Sequence, residues 1–259
     1  MLDQVLERSR SSAAHRYSVS FARTLSEVRE AQRLRYAVFS GEMGARLIGP
    51  EPGVDEDRFD AFCKHLVVRD ARTGDAVGTY RILSPHAARA AGGYYSDQEF
   101  DLTRLAHLAP HLVEVGRSCI HPDYRAGTVI SLLWSALAQY MITNSFEYLI
   151  GCASISIADG GYAASTIYRE VAARHLAPPE LRVTPRCRLP IEDLHSDMRG
   201  ELPPLVKGYL RLGGYVGGEP AWDPDFHSAD LFVLVPMARL DPRYLRHFLG
   251  VARALAVAV

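Results

Sequence analysis

A glutamate and an arginine interrupt the apolar run Leu112–Ile120, whose sequence is LVEVGRSCI. Their spacing would place Glu114 and Arg117 on opposite faces of a regular strand, but Gly116 between them is typical of a bulge that redirects one side chain. Opposite charges inside a buried strand are costly unless they pair or take part in chemistry. The run therefore predicts either a structural ion pair at a strand end or a functional site.

A short loop, residues 121–127, joins this strand to a long apolar helix. It contains Arg125 and Gly127, and Thr128 follows at the start of the helix. Glycine lets a backbone approach an anion closely, and the N–H groups at a helix start attract negative charge. The segment fits either a phosphate-binding loop or an ordinary strand-to-helix turn.

Four acidic residues lie within the six residues Asp55–Asp60. A calcium-binding EF-hand loop needs glycine at its sixth position and an acid at its twelfth, but these positions hold Asp60 and Leu66. An EF-hand is therefore excluded, which leaves a solvated acidic loop or a pocket for a cationic amine. Arg81, in the middle of a predicted strand, could pair with acids or bind a carboxylate through its guanidinium fork.

Composition and motifs exclude several other classes of protein. The net charge of −1 lacks the basic excess of proteins that bind nucleic acid. The four cysteines lie far apart without a C-x-x-C pair, so zinc ribbons and disulfide scaffolds are excluded and no metal is expected. On a strand, His65 and Asp70 would lie on opposite faces, which excludes the H-x-x-x-x-D dyad of glycerolipid acyltransferases. G-x-S-x-G and P-loop motifs are absent from the sequence.

The elements that position these residues mix helices and strands. Thr24–Glu27 matches a capping box that starts a helix, and Gly41 is placed to end it. Because strict βαβ alternation is absent, we expect an α+β fold with a mixed sheet. Residues 1–23 are expected to form a flexible leader and residues 24–259 a single domain. The predicted strands are His65–Asp70, Ala76–Ser84, Leu112–Ile120, Tyr148–Ile155 and Ala229–Val235, and the later predicted helices are residues 129–142, 161–174 and 205–212.

The first 23 residues contain no apolar core of a signal peptide, which favours a cytoplasmic protein. Residues 126–146 carry no charge, but their densely apolar part spans only residues 129–142, a length that favours a buried helix over a membrane span. The C-terminal run Arg243–Arg253 mixes basic and apolar residues. It fits either peripheral contact with the inner face of a membrane or a terminal helix packed on the domain.

A series of separated motifs, in the same order, resembles the ornithine-lipid-type (hemolysin-like) N-acyltransferases of the GNAT superfamily, over roughly residues 25–250. The motifs are LRYxVF at 34–39 with Glu42, DxFD at 57–60, HLVV at 65–68, VGTYR at 77–81, YSxxEFD at 95–101, ExGRSC at 114–119, GCAS at 151–154, KGYLRLG at 207–213 and GEPAWDPDF at 218–226. A shorter set is similar to acyl-homoserine-lactone synthases, namely Arg35, Phe39, Asp57, Asp60, Arg81, Glu114 and Arg117.

The resemblance implies a GNAT-like mixed central sheet flanked by helices, with a splayed strand pair that forms the acyl-carrier cleft. It implies transfer of a fatty or 3-hydroxy fatty acyl group from acyl carrier protein to the α-amine of an amino acid. L-ornithine is the expected acceptor, and a lyso-ornithine lipid is the expected product, as the first step of aminolipid biosynthesis. No tightly bound cofactor is implied, because acyl-phosphopantetheine is a co-substrate. The loop Arg125–Ile130 is less glycine-rich than the usual GNAT pyrophosphate loop, which favours acyl carrier protein while acyl-CoA stays a candidate donor.

The resemblance and the chemistry of amide formation suggest a role for each residue. Glu114 is expected to act as the general base, Arg117 to hold Glu114 or bind the acceptor carboxylate, and main-chain N–H groups near Ser118 to polarise the thioester oxygen. The other expected roles are substrate binding by Arg35, Asp57, Asp60, Arg81 and Glu99, with the two aspartates attracting ammonium groups, and phosphate binding by Arg125, Gly127 and Thr128.

Two alternative functions stay open on the sequence alone. One is a CoA-dependent N-acyl- or N-acetyltransferase, or an N-acyl amino acid synthase, with another acceptor. The other is a non-enzymatic, membrane-active binding protein with a vestigial site, as the hemolysin-like label suggests. The complete set of charged positions described above argues against such decay.

Overall fold

The computed structural model describes residues 16–47, 49–195, 200–244, 246 and 248. The strands are β1 (Tyr17–Phe21), β2 (Lys64–Asp70), β3 (Ala76–Leu83), β4 (Phe100–Asp101), β5 (Leu112–Ile120), β6 (Tyr148–Ser156), β7 (Thr184–Pro185), β8 (Tyr215–Val216), β9 (Ala221–Asp223) and β10 (Ser228–Pro236). The α-helices are α1 (Leu25–Met43), α2 (Pro85–Ala91), α3 (Thr128–Thr143), α4 (Tyr162–His175) and α5 (Pro204–Arg211). Short 3-10 helices cover residues 60–62, 95–98, 103–111, 122–124, 179–181 and 237–239.

The main sheet has the strand order β1–β2–β3–β5–β6–β10–β8, and β9 pairs with the start of β10. The pairing of β5 with β6 is parallel, whereas the other pairs in this sheet are antiparallel. A second, two-stranded sheet joins β4 to β7. The predicted α+β fold with a mixed sheet is confirmed.

Apolar residues of β5 alternate between two cores, as the two faces of a strand require. Val113 and Val115 belong to the larger core, to which α3 contributes Leu133 and α4 contributes Ile167. Leu112 belongs to a second core that includes phenylalanines of β4 and β10. The helices of the larger core therefore cover one face of the sheet, while shorter elements cover the other face around the middle strands.

The predicted start of α1 is confirmed, but its predicted end is wrong. Thr24 accepts a hydrogen bond from the backbone N–H of Glu27, and the Glu27 side chain caps the N–H of Thr24 in return. The helix passes Gly41 and ends at Gly44, whose φ of 68° is the left-handed conformation that glycine adopts without strain. Glu42 and Met43 therefore lie in the last turn of α1.

The expected flexible leader is wrong for residues 17–21, which form the edge strand β1. This strand pairs with β2 in antiparallel register from Tyr17 opposite Asp70 to Phe21 opposite Leu66. Its alternation of Tyr17, Val19 and Phe21 with two serines is the period-two pattern of a half-buried strand. Residues 1–15 of the expected leader lie outside the described residues.

The two halves of the main sheet part between β5 and β6. These strands pair only from Leu112 opposite Tyr148 to Glu114 opposite Ile150, so the rest of their length is unpaired across this gap. Beyond that point β5 stays paired with β3, and β6 stays paired with β10. The splayed strand pair expected from the resemblance is present.

Within the described residues, no helix combines the length and the apolar character needed to cross a bilayer. The uncharged segment expected to be a buried helix is α3, which contributes Leu132 and Leu133 to the larger core. The C-terminal run Arg243–Arg253 lies outside the described residues apart from positions 243, 244, 246 and 248.

Candidate active site

A cavity of about 170 Å³ lies where β5 and β6 part. Glu114, Arg117 and Ser118 line it from β5, Cys152 lines it from β6, and Asp230 lines it from β10. A second cavity of about 420 Å³ adjoins it. The side chains of Tyr95, Arg117, Asp223, Phe59 and Phe226 line both cavities, so two ligands could approach the same point from different sides.

Glu114 lies on the last paired rung before the strands separate, and it is only 4% exposed. Its carboxylate accepts hydrogen bonds from the backbone N–H groups of Tyr95 (2.5 Å) and Ser96 (2.8 Å) and from the Ser96 hydroxyl. Burial raises the pKa of Glu114, and these hydrogen bonds offset only part of the rise. A carboxylate with a raised pKa at the wall of a cavity is suited to accept a proton near neutral pH.

The turn at residues 95–98 holds Glu114 in place, which was one of the two roles expected of Arg117. The first two residues of this turn, Tyr95 and Ser96, donate their backbone N–H groups to the Glu114 carboxylate. The YSxxE motif in this turn was part of the resemblance, but it carried no predicted function for Ser96. The only signal for Ser96 was its place three residues before the motif glutamate Glu99. Alternation and charge alone do not distinguish such a serine from one in an ordinary turn.

Arg117 lies at the bulge that Gly116 predicted. Between the pairs Thr79–Cys119 and Arg81–Gly116, one residue of β3 opposes two residues of β5, Arg117 and Ser118, and Arg117 has a φ of 50°. Its guanidinium lies 3.3 Å from carboxylate oxygens of Asp55 and Asp57. The bulge thus turns Arg117 toward the acidic loop rather than toward Glu114.

Three arginines neutralise the acidic loop, as the following contacts show. Arg35 contacts Asp55 and Asp60, Arg81 contacts Asp57 and Asp60, and Arg117 contacts Asp55 and Asp57. Arg35 is 0% exposed and donates to both oxygens of Asp60. Burial alone would raise the pKa of Asp60, but the hydrogen bonds and charge of Arg35 hold it well below its usual value.

This network contains four of the residues that were expected to bind substrate, namely Arg35, Asp57, Asp60 and Arg81. Arg35, on α1, is fully buried and offers no surface to a substrate, and its side chain contacts Asp55 and Asp60 of the acidic loop. The expectation that Asp57 and Asp60 attract free ammonium groups is not supported, because both carboxylates already contact arginines. Arg81 braces the acidic loop, which was one of its two expected roles, and it also lines the cavity.

Burial disfavours the thiolate form of three cysteines, two of which, Cys63 and Cys152, line the cavity. Burial raises the pKa of Cys63 and Cys119 to about 12 and that of Cys152 well above its usual value. Cysteine attacks as a thiolate, so these side chains are poor nucleophiles. The cavity is therefore better suited to direct transfer between two ligands than to a covalent thioester on the protein.

Glu99 lies beside Asp230 and Cys152, whose ligand-type atoms are all within 4.8 Å of one another. Burial, followed by the charges of Asp230 and Asp223, raises the pKa of Glu99 well above its usual value. The pKa of Asp230 rises to about 6 for the same reason, with burial as the main cause. Among the described residues, this is the group whose donor atoms could hold a metal ion.

The expected phosphate-binding residues lie past the end of β5 and do not line the cavity beside Glu114. Arg125 is 46% exposed at its side chain and forms two hydrogen bonds with Glu42, at 2.8 and 2.9 Å. Gly127 has a φ of 98° and precedes α3, whose first residue is Thr128. No side chain caps the start of α3, so its first N–H groups stay available to an anion.

Ser118 lines the cavity just beyond the bulge, on a stretch of β5 that has no partner in β6. Cys119 and Ile120 pair with β3 on the other side of the strand. An unpaired strand edge beside a cavity can offer backbone N–H groups to a ligand carbonyl. The thioester-polarising role expected near Ser118 stays a prediction.

Comparison with known proteins identifies the family. The acetyltransferase (GNAT) domain family matches residues 34–135, from α1 to the middle of α3. An L-ornithine N(alpha)-acyltransferase of Rhodobacter capsulatus is 37% identical over 246 residues, which cover 88% of this chain and 93% of that relative. An L-ornithine N(alpha)-acyltransferase of Brucella abortus is 34% identical over 246 residues, which cover 89% of this chain and 88% of that relative. The chain belongs to the L-ornithine Nα-acyltransferase family.

Two solved structures share the fold of this acyltransferase. The acyl-homoserine-lactone synthase LasI aligns over 90% of this chain and 95% of its own, with a TM-score of 0.52 and 15% identity. FeeM, an N-acyl amino acid synthase from uncultured soil microbes, aligns over 92% of this chain and 98% of its own, with a TM-score of 0.53 and 13% identity. The resemblance to GNAT acyltransferases and the GNAT-like fold are confirmed, and the non-enzymatic alternative is wrong.

The site of this acyltransferase extends beyond the segment matched by the GNAT family. Cys152 and Asp230 lie C-terminal to residue 135, on β6 and β10. Sequence reasoning assigned no role to Asp230, although it is the single acid in the apolar run Ala229–Val235. A lone charge in a strand buried along its whole length was the signal that could have identified it.

Proposed function

We propose that this acyltransferase transfers a fatty acyl group from acyl carrier protein to the α-amine of L-ornithine, giving a lyso-ornithine lipid. The observation that carries the proposal is the buried Glu114 carboxylate on the wall of the cavity where β5 and β6 part. Four curated relatives at 34–37% identity, each named L-ornithine N(alpha)-acyltransferase, support ornithine as the acceptor.

Amide formation needs a neutral amine held next to a polarised thioester carbonyl. In the proposed reaction, Glu114 takes a proton from the α-ammonium group, directly or through a water molecule, and the freed lone pair attacks the thioester carbon. A C–N bond forms and the C–S bond breaks. A second proton passes from the nitrogen to the leaving sulfur, so the products are an amide and the thiol of the carrier arm.

Two further parts of the site support this chemistry. Backbone N–H groups near Ser118 are the proposed donors to the thioester oxygen, because this edge of β5 has no partner in β6. Arg117 lines both cavities and contacts its aspartates at 3.3 Å, longer than an ideal charged hydrogen bond. We assign Arg117 the role of binding the carboxylate of the acceptor amino acid, since one guanidinium can bridge several anions.

For the acyl donor, we propose that Gly127 and the start of α3 bind the phosphate of the phosphopantetheine arm. Arg125 is already paired with Glu42, so backbone N–H groups rather than a free guanidinium would make the contact. A single phosphate needs fewer donors than the pyrophosphate of CoA. The few donors at this helix start therefore favour acyl carrier protein, with acyl-CoA as the alternative donor.

We place the reaction in the cytoplasm, because acyl carrier protein, the proposed donor, is a cytoplasmic protein. Peripheral contact of the run Arg243–Arg253 with the inner membrane face stays a prediction. Deleting residues 244–259 and measuring liposome binding tests it, and unchanged binding would remove this part of the proposal.

The central experiment supplies the purified protein with one acyl chain on acyl carrier protein or on CoA, together with single amino acids, and detects products by mass spectrometry. We expect Nα-acyl-ornithine, formed faster from the carrier protein. Glu114→Gln should lower kcat by about 10²–10⁴-fold, whereas Glu147→Gln, with a side chain 60% exposed, should match the wild type. Full activity of Glu114→Gln would show that Glu114 is not the general base. If no amino acid gave a product, the proposed function would be refuted.

A further inference from the structure

Glu99 and Asp230 form a buried acidic pair that the chemistry proposed above does not use. Both carboxylate oxygens of Glu99 are buried, and their polar neighbours among the described residues include the Cys152 thiol, the Tyr95 hydroxyl and Asp230, none of them at good hydrogen-bond geometry. Asp230 is 4% exposed, and its Oδ1 accepts a hydrogen bond from the Ser228 hydroxyl at 2.8 Å. Buried carboxylate oxygens without well-aligned donors are rare in folded proteins, so Glu99 lacks a donor that would satisfy it.

No basic side chain among the described residues supplies such a donor to Glu99. Around the cavity, the acids of the loop at residues 55–60 contact Arg35, Arg81 and Arg117. Within the described part of the chain, no ion pair joins a lysine, arginine or histidine to Glu99 or Asp230. Asp223 lines both cavities beside the pair and adds a third negative group.

We propose that Glu99 and Asp230 bind the side-chain ammonium group of the acceptor and thereby select a diamino acid. An ammonium group offers three donors, which suit the two unpartnered oxygens of Glu99 and one of Asp230. This inference rests on the proposed function, and it assigns to a specific pair the amine recognition that was expected of Asp57 and Asp60.

The position of the pair relative to Glu114 fits an amino acid with two amines. The Ser96 hydroxyl donates to Glu114 and lies 3.4 Å from the Cys152 sulfur, and that sulfur adjoins both carboxylates of the pair. Two side chains thus separate the proposed base from the acidic pair. An α-amine at Glu114 and a side-chain ammonium at the pair would be joined by a short aliphatic chain passing Cys152.

A metal ion is the competing occupant, since the donor atoms of Glu99, Cys152 and Asp230 lie close enough to share one. Cysteine binds metal as a thiolate. Burial raises the pKa of Cys152 well above its usual value, which disfavours that form. The chemistry of the three side chains therefore favours an ammonium group.

The test compares ornithine with 2-aminopentanoic acid, which has the same carbon chain and lacks the side-chain amine. We expect the wild type to prefer ornithine by about 100-fold in kcat/KM, because a buried site built for a polar group rejects the analogue without it. In Glu99→Gln and in Asp230→Asn, this ratio should fall to about tenfold or less. Glu147→Gln, which removes an exposed acid, should keep the wild-type ratio.

An unchanged ratio in both variants would overturn the proposal. So would stoichiometric metal in the purified protein that disappears in Glu99→Gln. Calorimetric binding of the two amino acids to the same variants tests the pair without turnover. A protein that binds ornithine selectively but acylates no amine would refute the proposed function and support this inference, and thermal melting confirms that each variant is folded.

Discussion

The carboxylate of Glu114 accepts hydrogen bonds from both the backbone N–H and the hydroxyl group of Ser96. Ser96 belongs to the 3-10 turn of residues 95–98, and Glu99 follows this turn directly. One short turn therefore positions the proposed base and one member of the acidic pair. Its conformation links two parts of the site that lie on different strands.

Replacing Ser96 by alanine should weaken the proposed base. The hydroxyl stabilises the charged form of Glu114, so its loss should raise the pKa of Glu114 further and move the acidic limb of the kcat–pH profile upward by about one pH unit. Activity should fall more at pH 6 than at pH 8. Ser135→Ala, which removes a buried hydroxyl of α3, is the matched control. An unmoved profile in Ser96→Ala would mean that the hydroxyl does not tune Glu114.

The raised pKa of Asp230, about 6 in the folded protein against 3.8 for the free side chain, predicts a pH-dependent stability. The folded state keeps the proton between these values while the unfolded state loses it, so this contribution is full below pH 4 and is lost as the pH rises to 6. Asp230→Asn should therefore gain stability relative to the wild type between pH 4 and pH 7, by on the order of 2 kcal/mol. Urea unfolding at a series of pH values measures this difference, and a difference that stays constant with pH would contradict the assignment.

Arg35→Met should be among the most damaging substitutions outside the cavity. It leaves the buried carboxylates of Asp55 and Asp60 without their main counter-ion, which should lower the free energy of unfolding by about 3–5 kcal/mol. Arg125→Met breaks an exposed ion pair with Glu42 and should cost about 1 kcal/mol or less. Denaturant unfolding compares the two. Equal losses would show that the buried network is not what stabilises the loop.

Gly151→Ala tests the place where the strands part. A Cβ at Gly151 would collide with the backbone carbonyl of Val115, so β5 and β6 must move apart. We expect a loss of about 1–3 kcal/mol in unfolding free energy and a lower kcat. Gly41→Ala, on α1 with no atom within 4 Å of its Cβ position, should instead gain about 0.5–1 kcal/mol. Wild-type stability of Gly151→Ala would contradict this view of the junction.

Local patterns in the sequence predicted most elements of the fold. Leu112–Ile120 has the bounds of β5, and the capping box at Thr24 starts α1. These features depend on neighbours along the chain, such as alternation and reciprocal capping. Gly116 also indicated the bulge that turns Arg117, because a glycine between two charges in a strand is a local signal. The five-residue β1 was missed because it lies in a polar segment that carries no flanking turn signal.

The pairing of charged side chains could not be predicted in this way. Arg35 and Asp60 are 25 residues apart, and nothing in the acidic loop shows that arginines from α1, β3 and β5 converge on it. The acids that could have formed a pocket for a cationic amine instead contact arginines of the protein itself. Likewise, Glu99 and Asp230 meet only because β10 pairs with β6 next to the turn at residues 95–98.

The separation of the sheet beyond Glu114 and Ile150 has a consequence for acceptor size. The proposed base belongs to β5, whereas Asp230 belongs to β10, which is paired with β6 along all nine residues. The span between Glu114 and Asp230 is therefore set by strand spacing. A diamino acid with fewer methylene groups would reach either Glu114 or Asp230 but not both, and a longer one would have to bend. Shifting β6 relative to β5 by one side chain should therefore change which homologue is acylated.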